Sequence, residues 1–497
     1  MRHAANEGFI LRSNEVKNGI LIPRYYDPRI EEELDSLSDS YTLVSVDDYV
    51  ALGQLLHGHG SYIPKIYYGS GPIPYVRTSD LANWEVKASP KHGIPVDVYE
   101  EYKKSQDVKP GDIFFVHEGT YLVGSAAMVT AFDGPLLYQH HLAKFRVLPN
   151  APFGPYFLLA AIETPTVARQ IRSRQFSADI IDSVVGRLGQ VVIPVPKNKQ
   201  RLERIEAKAK EAILGRAVCR EQLSYGLRAI DGWFRGDGGE TLEAIFEWNP
   251  SDAYEGKTAF LGYRTGFVAF SHPSQGVENG VLLPKYYDPT ITELADKYRA
   301  TCDLVTVGDL AREKLIDLTT GDEIGRMSYG TGDIPFVRTS DLASWELKRE
   351  SKQGVSEAVC NLWQDRQGVE AGDILLIRDG TYLVGSSILP YPDDLPLLYC
   401  GGINKIRAMK PKVIDSALLF TLLNLPFVRR QMRNKQFTRD VIDTLGKRLS
   451  EVILPIPKDP GIRAAISSHM GRLVGKRSSL RHGLSVLVKK IYPEFGG

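Results

Sequence analysis

The sequence predicts a mixed α/β (α+β) chain of two homologous globular domains, each followed by a long helix, the two helices pairing as an antiparallel coiled coil. Three observations carry that expectation. The chain repeats itself at one constant offset, so that Lys197 recurs 261 positions later as Lys458. Each copy mixes short strand signals with apolar helices, and each ends on a polar segment whose apolar residues keep heptad spacing.

The repeat is collinear. Leu21–Pro28 returns as Leu282–Pro289, Ile73–Glu85 as Ile334–Glu346, Gly111–Ser125 as Gly372–Ser386, and Arg169–Phe176 as Arg430–Phe437. Val192–Lys197 returns as Ile453–Lys458, and no net insertion separates any of these blocks. Domains are therefore drawn at 1–197 and 262–458, long helices at 198–236 and 459–497, and an acidic, turn-rich connector at 237–261.

Within the first copy, Val108–Val116 and Tyr121–Val129 read as a strand pair around the turn His117–Thr120, where Gly119 supplies the turn geometry. Tyr156–Ile162 is an apolar helix. A basic helix starts near Pro165, since proline suits a first helical turn. Gln190–Val195 reads as a buried strand, continued by the extended Pro194-Val-Pro196. In the following segment Ile205, Ala209, Ala212, Cys219, Leu223 and Ile230 hold a/d positions, matched by Ile466, Met470, Leu473, Leu480, Leu484 and Ile491. Arg216 and Arg477 intrude at the same place in each. A seam this narrow suits two helices that bury each other better than a helix lying on its own domain.

Composition is that of a folded protein, with 43% hydrophobic and 24% charged residues, which excludes disordered and collagen-like classes. A formal net charge of +1 neither supports nor excludes nucleic acid, because the placement of charge decides. Cys219, Cys302, Cys360 and Cys400 are scattered and read as core or surface thiols of a reducing compartment. The first residues lack a signal-peptide run, and no stretch approaches eighteen apolar residues. A cytoplasmic protein without a membrane partner is expected.

In order and spacing the repeat resembles the specificity (S) subunit of type I restriction-modification enzymes over nearly the whole chain. The resemblance is carried by Gly332–Arg338, by Gly372–Thr381, and by the Ile-Pro-x-Pro strand Ile193–Pro196 before the first helix, with its counterpart Leu454–Pro457. It implies two target-recognition domains, each reading one half of a split DNA site, and two long spacer helices. The two domains here are more alike than is usual in that family. The Leu21–Pro28 and Gln175–Asp182 segments also look like recognition modules fused to adenine methyltransferases, so the subfamily stays open.

No methyltransferase signature Asn/Asp-Pro-Pro-Tyr/Phe occurs, and Asn249-Pro-Ser-Asp252 has the wrong third residue. Gly69–Gly71 and Gly330–Gly332 read as turns rather than phosphate loops. His57, His59, His140 and His141 could suggest a metal, but the second copy has Leu318, Thr320, Gly401 and Gly402 there, so no metal is expected. Asp112, Glu118, Asp373 and Asp379 read as solvated turn residues in preference to nuclease carboxylates.

Two kinds of feature are compatible with DNA. One is local basic charge: Arg169, Arg172 and Arg174, their counterparts Arg429, Arg430, Arg433 and Lys435, and the C-terminal Arg472, Lys476, Arg477, Arg481, Lys489 and Lys490. A solvated helix face or a surface for an acidic partner explains these equally well. The other is polar side chains on loops beside strands: Arg77, Thr78, Ser79, Asp80, Asn83 and Trp84, repeated as Arg338, Thr339, Ser340, Asp341, Ser344 and Trp345, and Glu118, Thr120 and Tyr121, repeated as Asp379, Thr381 and Tyr382 beside Arg378. Residues identical in both copies also suit a scaffold, with the readers in segments that differ.

The leading expectation is a non-catalytic reader of double-stranded DNA that recognises a bipartite, near-palindromic site. By the resemblance, two adenine methyltransferase subunits perform the chemistry with S-adenosylmethionine that this chain does not bind, and whether a restriction or translocase subunit joins is open. A helix of about 28 residues spans about 42 Å, comparable to one turn of B-DNA at about 34–36 Å. A protein-interaction scaffold without base readout is the alternative, and a nuclease the third reading.

Overall fold

Ile113–Val116 is apolar at every position and fully buried, the pattern of a central strand. The computed structural model describes residues 12–493 apart from 17–18, 89, 177–180, 238, 251–275, 278–279, 350 and 439–441. In it this strand lies third in a six-stranded sheet ordered Leu55–His59, Leu142–Val147, Ile113–Val116, Ala126–Met128, Trp84–Val86, Leu81–Ala82. The second copy repeats the core of that sheet as Ile316–Thr320, Ile403–Ala408, Ile374–Ile377, Ser387–Ile388. In each copy the strand before the long helix, Val192–Pro196 or Ile453–Pro457, pairs antiparallel with Tyr41–Ser45 or Cys302–Thr306. The helices Pro155–Ile162 and Pro165–Arg174 follow the sheet, both with proline in the first turn.

The expected strand pair forms, with Ile113 opposite Met128, but its turn is not at His117–Thr120. Glu118–Gly119 instead make a two-stranded ribbon with Asp182–Ser183, and the chain turns at 121–124. The Gln175 side-chain amide donates to the Thr120 carbonyl (2.8 Å) and holds the ribbon out; Gln436 does the same to Thr381 (2.6 Å).

The described residues divide into two units, each containing one domain and one piece of both long helices. One unit comprises 12–218 with 479–493, the other 219–250 with 276–478. The long helices run Lys199–Phe234 and Pro460–Lys490. In the unit of the first domain, Ile205, Ala209 and Ala212 share a core with Leu484, Val488 and Ile491, and also with Phe157 and Ile193 of the domain. Gly215 faces Leu480 there while Arg201 donates to the Ile491 carbonyl, so the pieces run antiparallel. A Cβ at Gly215 would lie 2.9 Å from a Leu480 methyl, a close approach that glycine permits. In the other unit Leu223, Leu227 and Ile230 meet Ile466, Met470 and Leu473 in one core with Phe420 and Leu454. Helix pairing and packing onto a domain are therefore not alternatives, because Ile213, Leu227 and Phe234 widen the seam beyond its heptad positions.

The intruding arginines are anchors. Arg477 pairs with Glu346 at 3.0 Å with both side chains buried (0% and 4% exposed), and Arg216 reaches Glu85 at 3.4 Å. The connector is more ordered than its turn-rich sequence suggests: Leu242–Glu247 is a helix capped by Thr241, with Leu242 and Ile245 in the core. Residues 251–261 of that connector lie outside the described residues. All four cysteines are buried and unpaired by disulfides. Among the described residues no helix is long and apolar enough to cross a membrane.

Candidate nucleic-acid interface

In an antiparallel sheet, strand ends alternate, so the end of one strand lies beside the start of its neighbour. Ala143 pairs with His59 and Leu142 with Val116, which gathers the end of Leu55–His59, the start of Leu142–Val147 and the end of Ile113–Val116 at one edge. His57, His59, His117, His140 and His141 collect there, and the ribbon of Glu118–Gly119 and Asp182–Ser183 continues from it. His57 and His59 are 4.6 Å apart ring to ring, His59 and His117 5.7 Å, and His140 stands 3.9 Å from His141. His141 Nδ1 pairs with Glu118 Oε2 at 3.0 Å. His117 is buried, with Nε2 2.8 Å from the His140 carbonyl and Nδ1 3.3 Å from Ser183 Oγ. Burial, with the neighbouring His59 and His117, pushes His57 down to about 4, and burial also lowers His117 and His140. The His57 imidazole is thus kept neutral near pH 7. Among the described residues no three His, Cys, Asp or Glu side chains converge as metal ligands.

The same edge of the second domain carries different chemistry. Arg378 takes the place of His117 and donates from Nε to Asp379 (2.9 Å), from Nη1 to Thr320 Oγ1 (3.1 Å) and from Nη2 to Thr444 Oγ1 (3.2 Å). A side chain at Gly402 would meet Thr339 at 3.0 Å and Asp379 at 3.5 Å, so Thr339 belongs to this edge as well.

Beneath the edges the two copies share one polar frame. Asp112 is fully buried and takes Arg146 on both oxygens (2.6 and 2.7 Å), while Lys144 Nζ donates to the Gln106 carbonyl. Asp373 with Arg407, and Lys405 with the Gln367 carbonyl, repeat this. Asp112 and Asp373 are therefore not solvated turn residues: each is neutralised by an arginine that holds adjacent strands. The repetition of Lys144 and Arg146 as Lys405 and Arg407 was the sequence signal for it.

Several sequence candidates are consumed by the fold. The Arg-Thr-Ser-Asp motif is a capped turn, in which buried Asp80 accepts the Arg77 N–H (3.0 Å) and Asp341 the Arg338 N–H (2.9 Å). Desolvation raises the pKa of both carboxyls. Thr78, Ser79, Thr339 and Ser340 are half-buried in these turns. The Arg77 guanidinium engages Gln139 and His92, whereas Arg338 is exposed. Asn83 is buried rather than presented on a loop. It forms with Trp84 a two-residue hairpin turn at φ +52° and +64°, as Ser344 and Trp345 do at +46° and +67°, and that turn aims Glu85 and Glu346 at the long helices.

The basic helices are stitches more than phosphate stripes. Arg169 pairs with Glu33, and Arg174 donates to the carbonyls of Gln170 and Gln190 with its pKa lowered by burial. Arg430 pairs with Asp288, and Lys435 with Glu451 at 2.6 Å. Arg172 is exposed but donates to the Tyr121 carbonyl (2.9 Å), fixing the loop where Tyr121 is exposed. Thr120, Glu118, Thr381, Tyr382 and Arg433 are half-buried. Of the C-terminal cluster, Arg477 and Arg481 are buried, while Arg472, Lys476, Lys489 and Lys490 face solvent. The structure thus brings together Arg378, Asp379 and Thr339 in one domain and Glu118 with five histidines in the other. In the sequence, four of those histidines (His57, His59, His140 and His141) carry no signal other than that of a metal site.

No family model matches this sequence, and no curated protein does. Solved structures similar along almost the whole length include the type I restriction-modification S subunit from M. genitalium, at 14% identity over 92% of this chain and 97% of that one, TM-score 0.33. The HsdS subunit from Thermoanaerobacter tengcongensis is similar at 14% identity over 91% and 96%, TM-score 0.27. A chain from a structure of the assembly and conformational transition of the type I R-M system is similar at 12% identity over 91% and 98%, TM-score 0.26.

Proposed function

We propose that this chain is the sequence-specific DNA-binding specificity subunit of a type I-like restriction-modification complex, or of a related methylation-based defence complex. Each domain reads one half of a bipartite, near-palindromic site in double-stranded DNA. The observation that carries this reading is one duplicated polar frame, Asp112–Arg146 and Asp373–Arg407, that presents at an equivalent sheet edge two different sets of hydrogen-bonding side chains. A frame held constant while its rim varies is what base readout requires, because phosphate contacts position and base contacts specify. The chain itself performs no catalysis in this reading. Adenine methyltransferase subunits, two for two recognition domains, bring S-adenosylmethionine and flip the target base in the cytoplasm.

The test is to look for an adenine methyltransferase gene beside this one, to purify the chain alone and with that enzyme, and to select bound duplexes from a randomised pool. A split motif with similar halves is expected. Sequence-dependent binding with no preference for a split site would sink the paired-reader part. A second reading, a scaffold that recruits protein partners without base readout, draws support from apolar side chains exposed at equivalent positions in both copies: Leu21 and Leu282, Ile66 and Met327, Ile181 and Ile442. It predicts partner affinity with no salt-sensitive retention of DNA.

A further inference from the structure

Resting on that reading, we infer that Arg378 reads a guanine in the half-site taken by the second domain, and that the first domain, with His117 in that place, reads a different base there. The two edges are built on equivalent strands, so position 378 of the second domain corresponds to position 117 of the first. What differs is the chemistry offered outward.

A guanidinium has five N–H donors. Three of those of Arg378 are engaged, one by Asp379 and one each by the hydroxyls of Thr320 and Thr444. Among the described residues that leaves one hydrogen on each terminal nitrogen. Two neighbouring donors in one plane match the O6 and N7 acceptors of guanine in the major groove. The three partners also fix the plane of the group before DNA arrives, which lowers the ordering cost of binding. The Arg378 side chain is 23% exposed, enough to reach a base edge.

The first domain offers nothing comparable. The His117 residue is 4% exposed, and its carbonyl partner requires the ring hydrogen on Nε2, so Nδ1 accepts from Ser183 and both nitrogens are occupied. The outward groups are instead the His59 ring and the Glu118 carboxylate beside His141. A carboxylate accepts hydrogen bonds and cannot donate the pair that guanine needs. The near-palindrome is broken at this position.

The experiment uses the full chain with its partner methyltransferase, wild type and Arg378→Lys, with duplex selection at several salt concentrations. Lysine keeps the charge and loses the planar donor pair. The wild type is expected to require guanine at one position of one half-site and not at the matching position of the other. In Arg378→Lys that single preference falls by on the order of ten- to a hundredfold, with the other positions and the salt slope unchanged. Uniform weakening with an unaltered motif would assign Arg378 to phosphate and overturn the inference. So would an unaltered motif at unaltered affinity, or the same base at both matching positions. No sequence-dependent binding by the wild type would overturn the specificity-subunit reading itself. As the reciprocal arm, His117→Arg with Ser183→Thr and His59→Thr is expected to introduce a guanine preference in the first half-site.

Discussion

Arg477 shows how a single residue changes meaning once its neighbours are known. Along the helix it interrupts an apolar seam; in the fold it is the buried partner of Glu346, which the primed turn at Ser344 and Trp345 aims at it. Removing one member of such a pair leaves the other buried against a lost counter-charge, so Arg477→Ala is expected to cost about 3–5 kcal/mol. Replacing both members, Arg477→Met with Glu346→Gln, should cost less, and chemical denaturation of the three proteins checks the order. His57 belongs to the same scale. Burial pushes its pKa down to about 4 from the ordinary 6.5, so the folded state favours the neutral ring. Stability is then fully present above about pH 6.5 and lost as pH falls toward 4. Exchanging it for the residue of the second copy, His57→Leu, is expected to flatten that loss in pH-dependent thermal melts. The histidines were visible in the sequence, but their burial and company were not, because residues 57, 117 and 141 meet only through strand pairing.

Elements were the most legible scale, since heptad and proline signals are local. Both long helices begin near their expected positions, and Pro165 opens its helix as expected. The ribbon of Glu118–Gly119 was not legible, because its partner strand is distant in sequence and its brace is a side chain, Gln175. The basic helix misled for a related reason: charge spacing reports the stripe, and only packing shows that Glu33 and Glu451 already answer it. The helix seams make a testable division. Met470 lies in the core of the second domain's unit and Leu484 in that of the first. Met470→Ala and Leu484→Ala are each expected to cost about 2–5 kcal/mol. Hydrogen exchange should rise in 453–457 for the former and in 192–196 for the latter, and a rise in both regions from either change would contradict the division.

Over the whole molecule, each unit is completed by a distant piece of chain. Tyr41 donates to the Ile491 carbonyl and Tyr492 to that of Pro194, both at 2.7 Å, so the end of the chain closes the core of the first domain. Deleting residues 479–497 is therefore expected to destabilise the N-terminal domain, seen as faster exchange at 41–45, while 302–306 keeps its protection. If the chain binds DNA as proposed, exposed Arg338, Lys476, Lys489 and Lys490 predict retention that weakens steeply as salt rises, with a slope near −0.9 per neutralised phosphate. A flat salt response would instead favour the scaffold reading.

The sequence by itself determined the duplication, the order of domains and helices, and the seams, because each is written in spacing along the chain. Tertiary structure decided which polar residues are frame and which are rim. That choice depends on burial and on partners brought from far along the chain, as Asp112 finds Arg146 across paired strands while Arg378, held by Thr320 and Thr444, stays partly exposed. It also decided that each long helix serves both units, since an apolar seam specifies that it must be buried and leaves open against what.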